Sequence, residues 1–249
     1  MITWHLKLLG ATSISGVAPF FRWHPHEFHT PLNILSGFAQ VVTAEGAELD
    51  EASSHEANIQ ILENTDRITG LVNKMLELSD ASSRTVIELS DQVPAVQIAL
   101  SAVEASGIER AGHLSFELLI DEGCETIKLT TSQSAATRAL SLLLDNARKF
   151  TAPAEAYGHH ASADEKQRVV LKLSVVDGGI QFIVEDTGIG IPAAEAERIF
   201  DEFVQLNEYY DGTGIGLTVA RSLARRLGGD VVLDTTYTAG ARFVFTLPW

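Results

Sequence analysis

The stretch VVLKLSVVDGGIQFIVEDTGIG, residues 169–190, decides the fold. Val169–Val176 and Ile180–Glu185 are two β-prone runs, and Asp177-Gly178-Gly179 between them is a turn signal, so the segment predicts a β-hairpin. The second strand runs directly into Asp186-Thr187-Gly188-Ile189-Gly190, a carboxylate followed by two glycines. Working outward, Ser132–Phe150 predicts a helix with Ala136, Leu140, Leu143, Leu144 and Ala147 on one face. Thr213–Leu227 predicts another, closed by Gly228-Gly229. Pro94–Ala105 reads as a helix opened by its proline. Thr85–Leu89, Leu114–Ile120, Ile127–Leu129, Val231–Leu233 and Arg242–Leu247 read as strands, and the polar Ala152–Lys166 as a surface loop. Helices mixed between hairpins imply an α+β fold, a two-layer α/β sandwich with helices on one face of a sheet.

Upstream the pattern is helical. From His26 to about Glu48, Leu32, Leu35, Ala39 and Val42 recur at three- and four-residue steps, and residues 45–50 form a turn. A second helix covers Ala52–Ser82 with the seam Ile61, Thr65, Ile68, Val72, Met75 and Ser79, widened by Leu62, Thr69 and Leu76. That heptad rhythm belongs to a helix packed lengthwise on another. One hairpin of this length has too little core to stand alone, so the expectation is a dimeric four-helix bundle formed with a second copy. The domain reading is therefore an unassigned segment 1–25, a helical hairpin 26–83 and a sandwich domain 84–249.

The chain has 249 residues, 33 acidic and 18 Lys or Arg, for a net charge of −15. This balance argues against a nucleic-acid partner, since phosphate backbones are held by clustered cations. With Cys124 the one cysteine, neither an intrachain disulfide nor a four-cysteine zinc site is available, which suits a reducing compartment. No run of about 18 apolar residues occurs, and the mildly apolar Leu8–Phe21 carries Ser, Thr and Gly and is not read as a signal peptide. His24, His26 and His29 miss the i, i+4 spacing of a helical zinc site.

Glycine lets backbone approach a ligand closely and adopt positive φ. Two segments offer this, Asp186 to Gly190 and Gly212-Thr213-Gly214-Ile215-Gly216-Leu217. The second opens a helix, whose free N–H groups attract phosphate. Its G-x-G-x-G spacing is not the dinucleotide fingerprint, and no P-loop sequence occurs. On the helix ending at Phe150, Asn146 supplies a neutral oxygen and Lys149 a cation one turn later, groups that suit a magnesium ion sharing its shell with phosphates.

Taken in order, these pieces resemble the sensor histidine kinases of two-component systems. Asn146-Ala147-Arg148-Lys149-Phe150-Thr151 resembles their N box, Asp186 to Pro192 the G1 box, Ile199-Phe200-Asp201-Glu202-Phe203 the F box and Gly212 to Leu217 the G2 box. His26-Glu27-Phe28-His29-Thr30-Pro31-Leu32-Asn33 resembles the H box. The resemblance implies a HisKA-type dimerisation and phosphotransfer hairpin followed by a catalytic domain of the Bergerat (GHKL) ATPase fold. It implies ATP and Mg²⁺ as cofactors, with Asn146 the metal ligand and Lys149 near the phosphates. Asp186 then accepts the adenine amino group, with Gly188 and Gly190 leaving room for the base. Phe200 and Phe203 anchor a lid running to Asp211, Tyr209 and Tyr210 are lid residues, and Gly212, Thr213, Gly214, Gly216 and Leu217 form the hinge and phosphate-facing helix start.

The resemblance further implies His26 as phosphoacceptor, Glu27 as general base and Thr30 as the residue that orients water for regulator dephosphorylation. The implied partners are a second copy (a homodimer), a response-regulator receiver domain and an upstream sensor domain or protein. The implied location is cytoplasmic, either free or as the cytoplasmic part of a membrane receptor. Position 142 is Leu where the N box usually has a second Asn, and position 29 is His where Arg or Lys is usual. Trp23-His24-Pro25 precedes the H box, and Pro25 places His26 at a helix start. The alternatives are a degenerate kinase acting as a non-catalytic dimeric docking module, and another ATPase of the same fold, such as a chaperone or mismatch-repair protein.

Overall fold

The computed structural model describes residues 25–43, 50–82, 86–151, 167–206 and 214–249. The chain divides into two compact units, Met1–Ser83 and Arg84–Trp249. No described helix is long and apolar enough to cross a membrane.

The first unit is a helical hairpin of α1, Pro25–Thr43, and α2, Glu51–Ser82. His26 falls in the first described turn of α1, directly after Pro25, where a proline's missing N–H is tolerated. Pro31 lies inside α1 and removes one intrahelical bond there. The N-terminus of α2 is capped by Asp50, whose Oδ1 accepts the Ser53 N–H at 2.7 Å.

The seams differ from those expected. In α1 the residues turned inward are Pro31, Ile34, Leu35 and Phe38, while Leu32 and Ala39 are exposed; the side chain of Val42 lies outside the described set. In α2 the inward stripe is Ala57, Ile61, Asn64, Ile68 and Leu71. Leu62, Thr65, Thr69, Val72 and Leu76 form a second, exposed stripe at the same spacing. The expected seam of Ile61, Thr65, Ile68, Val72, Met75 and Ser79 crossed between the two over Ile61–Val72, because both repeat every seven residues and sit side by side; the side chain of Met75 lies outside the described set. Thr65 and Thr69 turn their hydroxyls back to the carbonyls of Ile61 and Thr65, at 2.7 and 2.9 Å, which leaves their methyl groups on the exposed stripe. Asn64 is buried in the inward stripe, its Nδ2 donating to the Gln60 carbonyl at 2.7 Å.

The second unit is an α/β two-layer sandwich. In chain order it contains β1 Asp91–Pro94, α3 Ala95–Ser106, β2 Ser115–Ile120, β3 Lys128–Thr131, α4 Gln133–Phe150, β4 Arg168–Val176, β5 Gly179–Asp186, α5 Gly216–Arg226, β6 Asp230–Leu233 and β7 Arg242–Pro248. Five strands form one mixed sheet in the order β2-β4-β5-β7-β6, with β2 parallel to β4 and the other pairs antiparallel. The strands β1 and β3 make a separate antiparallel pair. The strand expected at Thr85–Leu89 is absent over 86–90, where Val86 is 85% exposed. The strand lies further on, because Val93 finds a buried place opposite Leu129 and Pro94 ends the run.

The helices pack on the sheet through side chains that binary patterning selects. Leu140, Leu143, Leu144 and Ala147 of α4 meet Leu171, Leu173, Phe182, Val184, Phe243 and Phe245 in one fully buried cluster. Phe182 and Phe245 are register partners with ring centroids 5.5 Å apart. At the end of α5, Gly228 takes φ +84°, and a Cβ on Gly229 would stand 1.8 Å from the Thr246 carbonyl oxygen. The expected Gly228-Gly229 stop thus also lets β6 start flush against β7. Emptying the central stack should be severe: Phe182→Ala is expected to lose about 3–5 kcal/mol, measured by urea unfolding of the full chain.

Candidate functional site

Asp186 ends β5 and is 2% exposed. Its Oδ1 accepts two backbone N–H groups, Gly188 at 2.9 Å and Ala241 at 3.0 Å. The Asp186 N–H in turn donates to the Ala241 carbonyl at 2.9 Å. Burial pushes the carboxyl above its ordinary range, opposed by the Ala241 and Gly188 N–H groups. No donor reaches Oδ2 among the described residues. The result is a buried acceptor with one oxygen locked and the other available.

Glycines shape the space around it. A Cβ on Gly188 would stand 2.2 Å from the Phe150 carbonyl oxygen. One on Gly240 would stand 2.0 Å from the Asp186 carbonyl oxygen and 2.7 Å from its Oδ1. Gly190 takes φ +70°, a conformation open to glycine. Thr187 fixes the loop from the other side: its N–H donates to the Arg168 carbonyl at 3.1 Å, and its Oγ1 accepts the Arg168 N–H at 2.9 Å.

The contact between Gly188 and Phe150 brings this loop to the C-terminal end of α4. Asn146 and Lys149 are half-buried on that end, and the Lys149 Nζ lies 5.1 Å from the Phe150 ring centroid. Thr151 is fully buried, and its Oγ1 has no partner among the described residues. Leu142, one turn before Asn146 on the same face, has its Cδ2 3.9 Å from where a Cβ on Gly216 would stand. The N-terminus of α5 therefore adjoins the Asn146 face of α4. Among the described residues no side chain caps that N-terminus, which leaves its first amides for another acceptor.

Phe203 and Gly214 meet across the chain. The Phe203 N–H donates to the Gly214 carbonyl at 3.1 Å, and both residues are left-handed, with φ +65° and +64°. A Cβ on Gly214 would stand 2.7 Å from the Phe203 carbonyl carbon and from the Val204 oxygen. Phe200 lies in the core, edge-on to Phe243 at 6.3 Å and beneath the Arg221 guanidinium at 4.4 Å. Arg221 also pairs with Glu197 at 2.7 Å and Asp230 at 3.1 Å. Its planar head tacks the 198–200 turn to α5 and β6.

Of the expected site residues, the structure brings Asn146, Lys149, Asp186, Gly188, Gly190, Gly216 and Leu217 to one end of the sandwich. Gly214 and Phe203 are hydrogen-bonded to each other just before α5, and Phe200 is an internal anchor. Gly212, Thr213, Tyr209, Tyr210 and the 152–166 loop lie outside the described residues, as do the side chains of His26 and Glu27. Thr30 is exposed on α1. Gly240, Ala241 and Arg221 were not expected. A glycine immediately before the last strand was the available signal for the first two; for Arg221 the sequence offered only a basic residue on an amphipathic helix.

Residues 25–84 match the His Kinase A (phospho-acceptor) domain, and residues 131–249 match the histidine kinase-, DNA gyrase B- and HSP90-like ATPase family. A sensor-like histidine kinase of Rhizobium meliloti (strain 1021) is 29% identical over 228 residues, covering 90% of this chain and 41% of that protein. The chain thus spans less than half the length of this curated relative. The structure of full-length ShkA in complex with AMPPNP superposes with a TM-score of 0.61 at 26% identity, covering 95% of this chain and 46% of that one. That of the histidine kinase ThkA in complex with the response regulator protein TrrA gives 0.65 at 18% identity, covering 94% and 62%; at this identity it shows the fold.

The environment of Asp186 sets a stability prediction. An acid whose folded pKa is raised loses stability as pH climbs from its ordinary carboxylate range to the raised value. Asp186→Asn keeps the acceptor for Gly188 and Ala241 and removes the buried charge. Its melting temperature should match or exceed the wild type's at pH 7, with the gap closing in acid. A lower melting temperature at pH 7 would contradict this.

Proposed function

The chain belongs to the sensor histidine kinase family, and from that premise we propose that it transfers the γ-phosphoryl group of ATP to His26 and then to an aspartate of a response-regulator receiver domain. The observation that carries this reading is the Asp186 carboxylate, buried, with Oδ1 held by two amides and no donor on Oδ2 among the described residues. A buried acceptor of that form suits the exocyclic amino group of adenine. Gly188 and Gly240 let the backbone close against Phe150 and against Asp186, which holds the carboxylate in place for the base.

Asn146 would hold a magnesium ion through its neutral amide oxygen, and the ion would neutralise charge on the phosphates. Lys149 adds a cation, and the amides of Gly216 and Leu217 face the phosphates. Phe200 anchors the segment that runs to Phe203, whose N–H holds the Gly214 carbonyl just before α5 begins. At the acceptor, Glu27 takes the imidazole proton as His26 attacks, so an N–P bond forms as the bond to the ADP oxygen breaks. Thr30 orients water for the reverse task, removal of phosphate from the regulator.

The exposed stripe of Leu62, Thr65, Thr69, Val72 and Leu76 supports a homodimer, since a heptad stripe that one hairpin leaves open is buried by a second. The response regulator protein bound in the ThkA complex supports a receiver-domain partner, and the greater length of the sensor-like relative supports a further sensor domain or protein. Chemistry that draws on ATP supports a cytoplasmic location.

Incubation of the full chain with γ-labelled ATP and Mg²⁺ should give acid-labile label that is lost in His26→Gln and on adding excess EDTA. Asp186→Asn should weaken ATP binding by about 30- to 100-fold, the worth of one charge-assisted hydrogen bond. ATP binding without any label would turn the reading to the docking module. Leu62→Glu with Leu76→Glu should convert the dimer to monomer in sedimentation; an unchanged mass would move the interface elsewhere.

A further inference from the structure

Arg242 is the first residue of β7 and follows Ala241 directly. Its Nε donates to Glu185 Oε1 at 2.9 Å and its Nη1 to Asp234 Oδ2 at 3.0 Å. The guanidinium carbon lies 4.3 Å from the Tyr237 ring centroid. Strand alternation turns this group away from the helices, since the neighbours Phe243 and Val184 face the core. Arg242 therefore sits behind the sheet from the buried cluster.

Each contact reaches one side of Asp186. Glu185 is the residue before it on β5. Asp234 and Tyr237 belong to the connection that ends in Gly240 and Ala241. That connection is closed at its base by the Asp234 N–H donating to the Arg242 carbonyl at 2.8 Å. Asp234 Oδ1 also accepts the Thr236 N–H at 2.9 Å and hydroxyl at 2.6 Å. Hydrogen bonds from Thr236 and Arg242 hold the Asp234 carboxyl down at about 2, so it stays charged through any physiological pH.

We propose that Arg242 is a positioning residue for base recognition. By pinning β5 through Glu185 and the 234–241 connection through Asp234 and Tyr237, it holds the Ala241 N–H on Asp186 Oδ1 and so keeps Oδ2 turned toward the base. The proposal rests on the adenine role of Asp186 and extends it to a residue that never touches the nucleotide. The planar guanidinium is needed because it makes two directed bonds and one stack at once, which an ammonium cannot.

The test compares full-length protein binding Mg-ATP and the Mg complex of purine riboside 5′-triphosphate, which has hydrogen in place of the 6-amino group. Calorimetry on the wild type should show ATP bound more tightly. In Arg242→Met, ATP affinity should fall about tenfold, affinity for the analogue should stay within twofold of wild type, and the preference should collapse. Arg242→Lys and Tyr237→Leu, milder changes that guard against misfolding, should show the same collapse in part. An unchanged preference in all three variants, or equal losses for both nucleotides, would overturn the proposal. A wild type that binds both nucleotides equally would instead remove Asp186 from the adenine role and this proposal with it.

Discussion

Everything at the nucleotide end of the sandwich is arranged around one carboxylate kept out of water. Burial works against the charged form of Asp186, and among the described residues the amides of Ala241 and Gly188 offset it. Those two amides come from segments about fifty residues apart, so holding the carboxylate requires β5, the 186–190 loop and the connection before β7 to be in place together. The glycines follow from the same demand. Gly188 must pass against the Phe150 carbonyl and Gly240 against Asp186 itself, and neither has space for a methyl group. One buried acceptor thus dictates the backbone on three sides of it, and through Phe150 it fixes where the Asn146 face of α4 lies.

The rest of the domain is conventional by comparison, which is what lets the site depart from ordinary packing. Leu143, Leu144, Phe182, Phe243 and Phe245 fill the interlayer space with no polar atom, so the core can hold an unfavourable carboxylate and a left-handed Phe203 at its margin. Arg221 extends the core outward. It lies over Phe200 and reaches two carboxylates, joining the 198–200 turn to the helix that follows Gly214. The turn and the helix N-terminus are then set by a common contact.

Legibility in the sequence followed the range of the forces involved. The hairpin of 169–185 was readable because its turn and both strands are contiguous, and the helix ending at Phe150 because its apolar face repeats locally. Asp186 with Gly188 and Gly190 stood out for the same reason. Ala241 carries no distinguishing side chain; what it supplies is an N–H to a residue 55 positions earlier, and no local pattern encodes that. The strand placed at Thr85–Leu89 had the β-branched composition but no partner, whereas Asp91–Pro94 had little propensity and a buried Val93 opposite Leu129. Tertiary context overrode propensity there.

The hairpin shows a different limit. Its two heptad stripes, one through Ala57, Ile61, Asn64, Ile68 and Leu71 and the other through Leu62, Thr65, Thr69, Val72 and Leu76, have the same period and differ only by a rotation about the helix axis. Periodicity establishes that a seam exists and leaves open which stripe faces the chain's own partner helix. The composition of each stripe separates them once the structure is known. The inward one contains the buried Asn64, whose amide is committed to the Gln60 carbonyl one turn back in the same helix. The exposed stripe is Leu, Val and Thr, with the threonine hydroxyls turned back into their own helix. It presents an apolar surface without a directional polar group. The proposed homodimer gives that surface a cover, the equivalent helix of a second copy, which offers the same repeat.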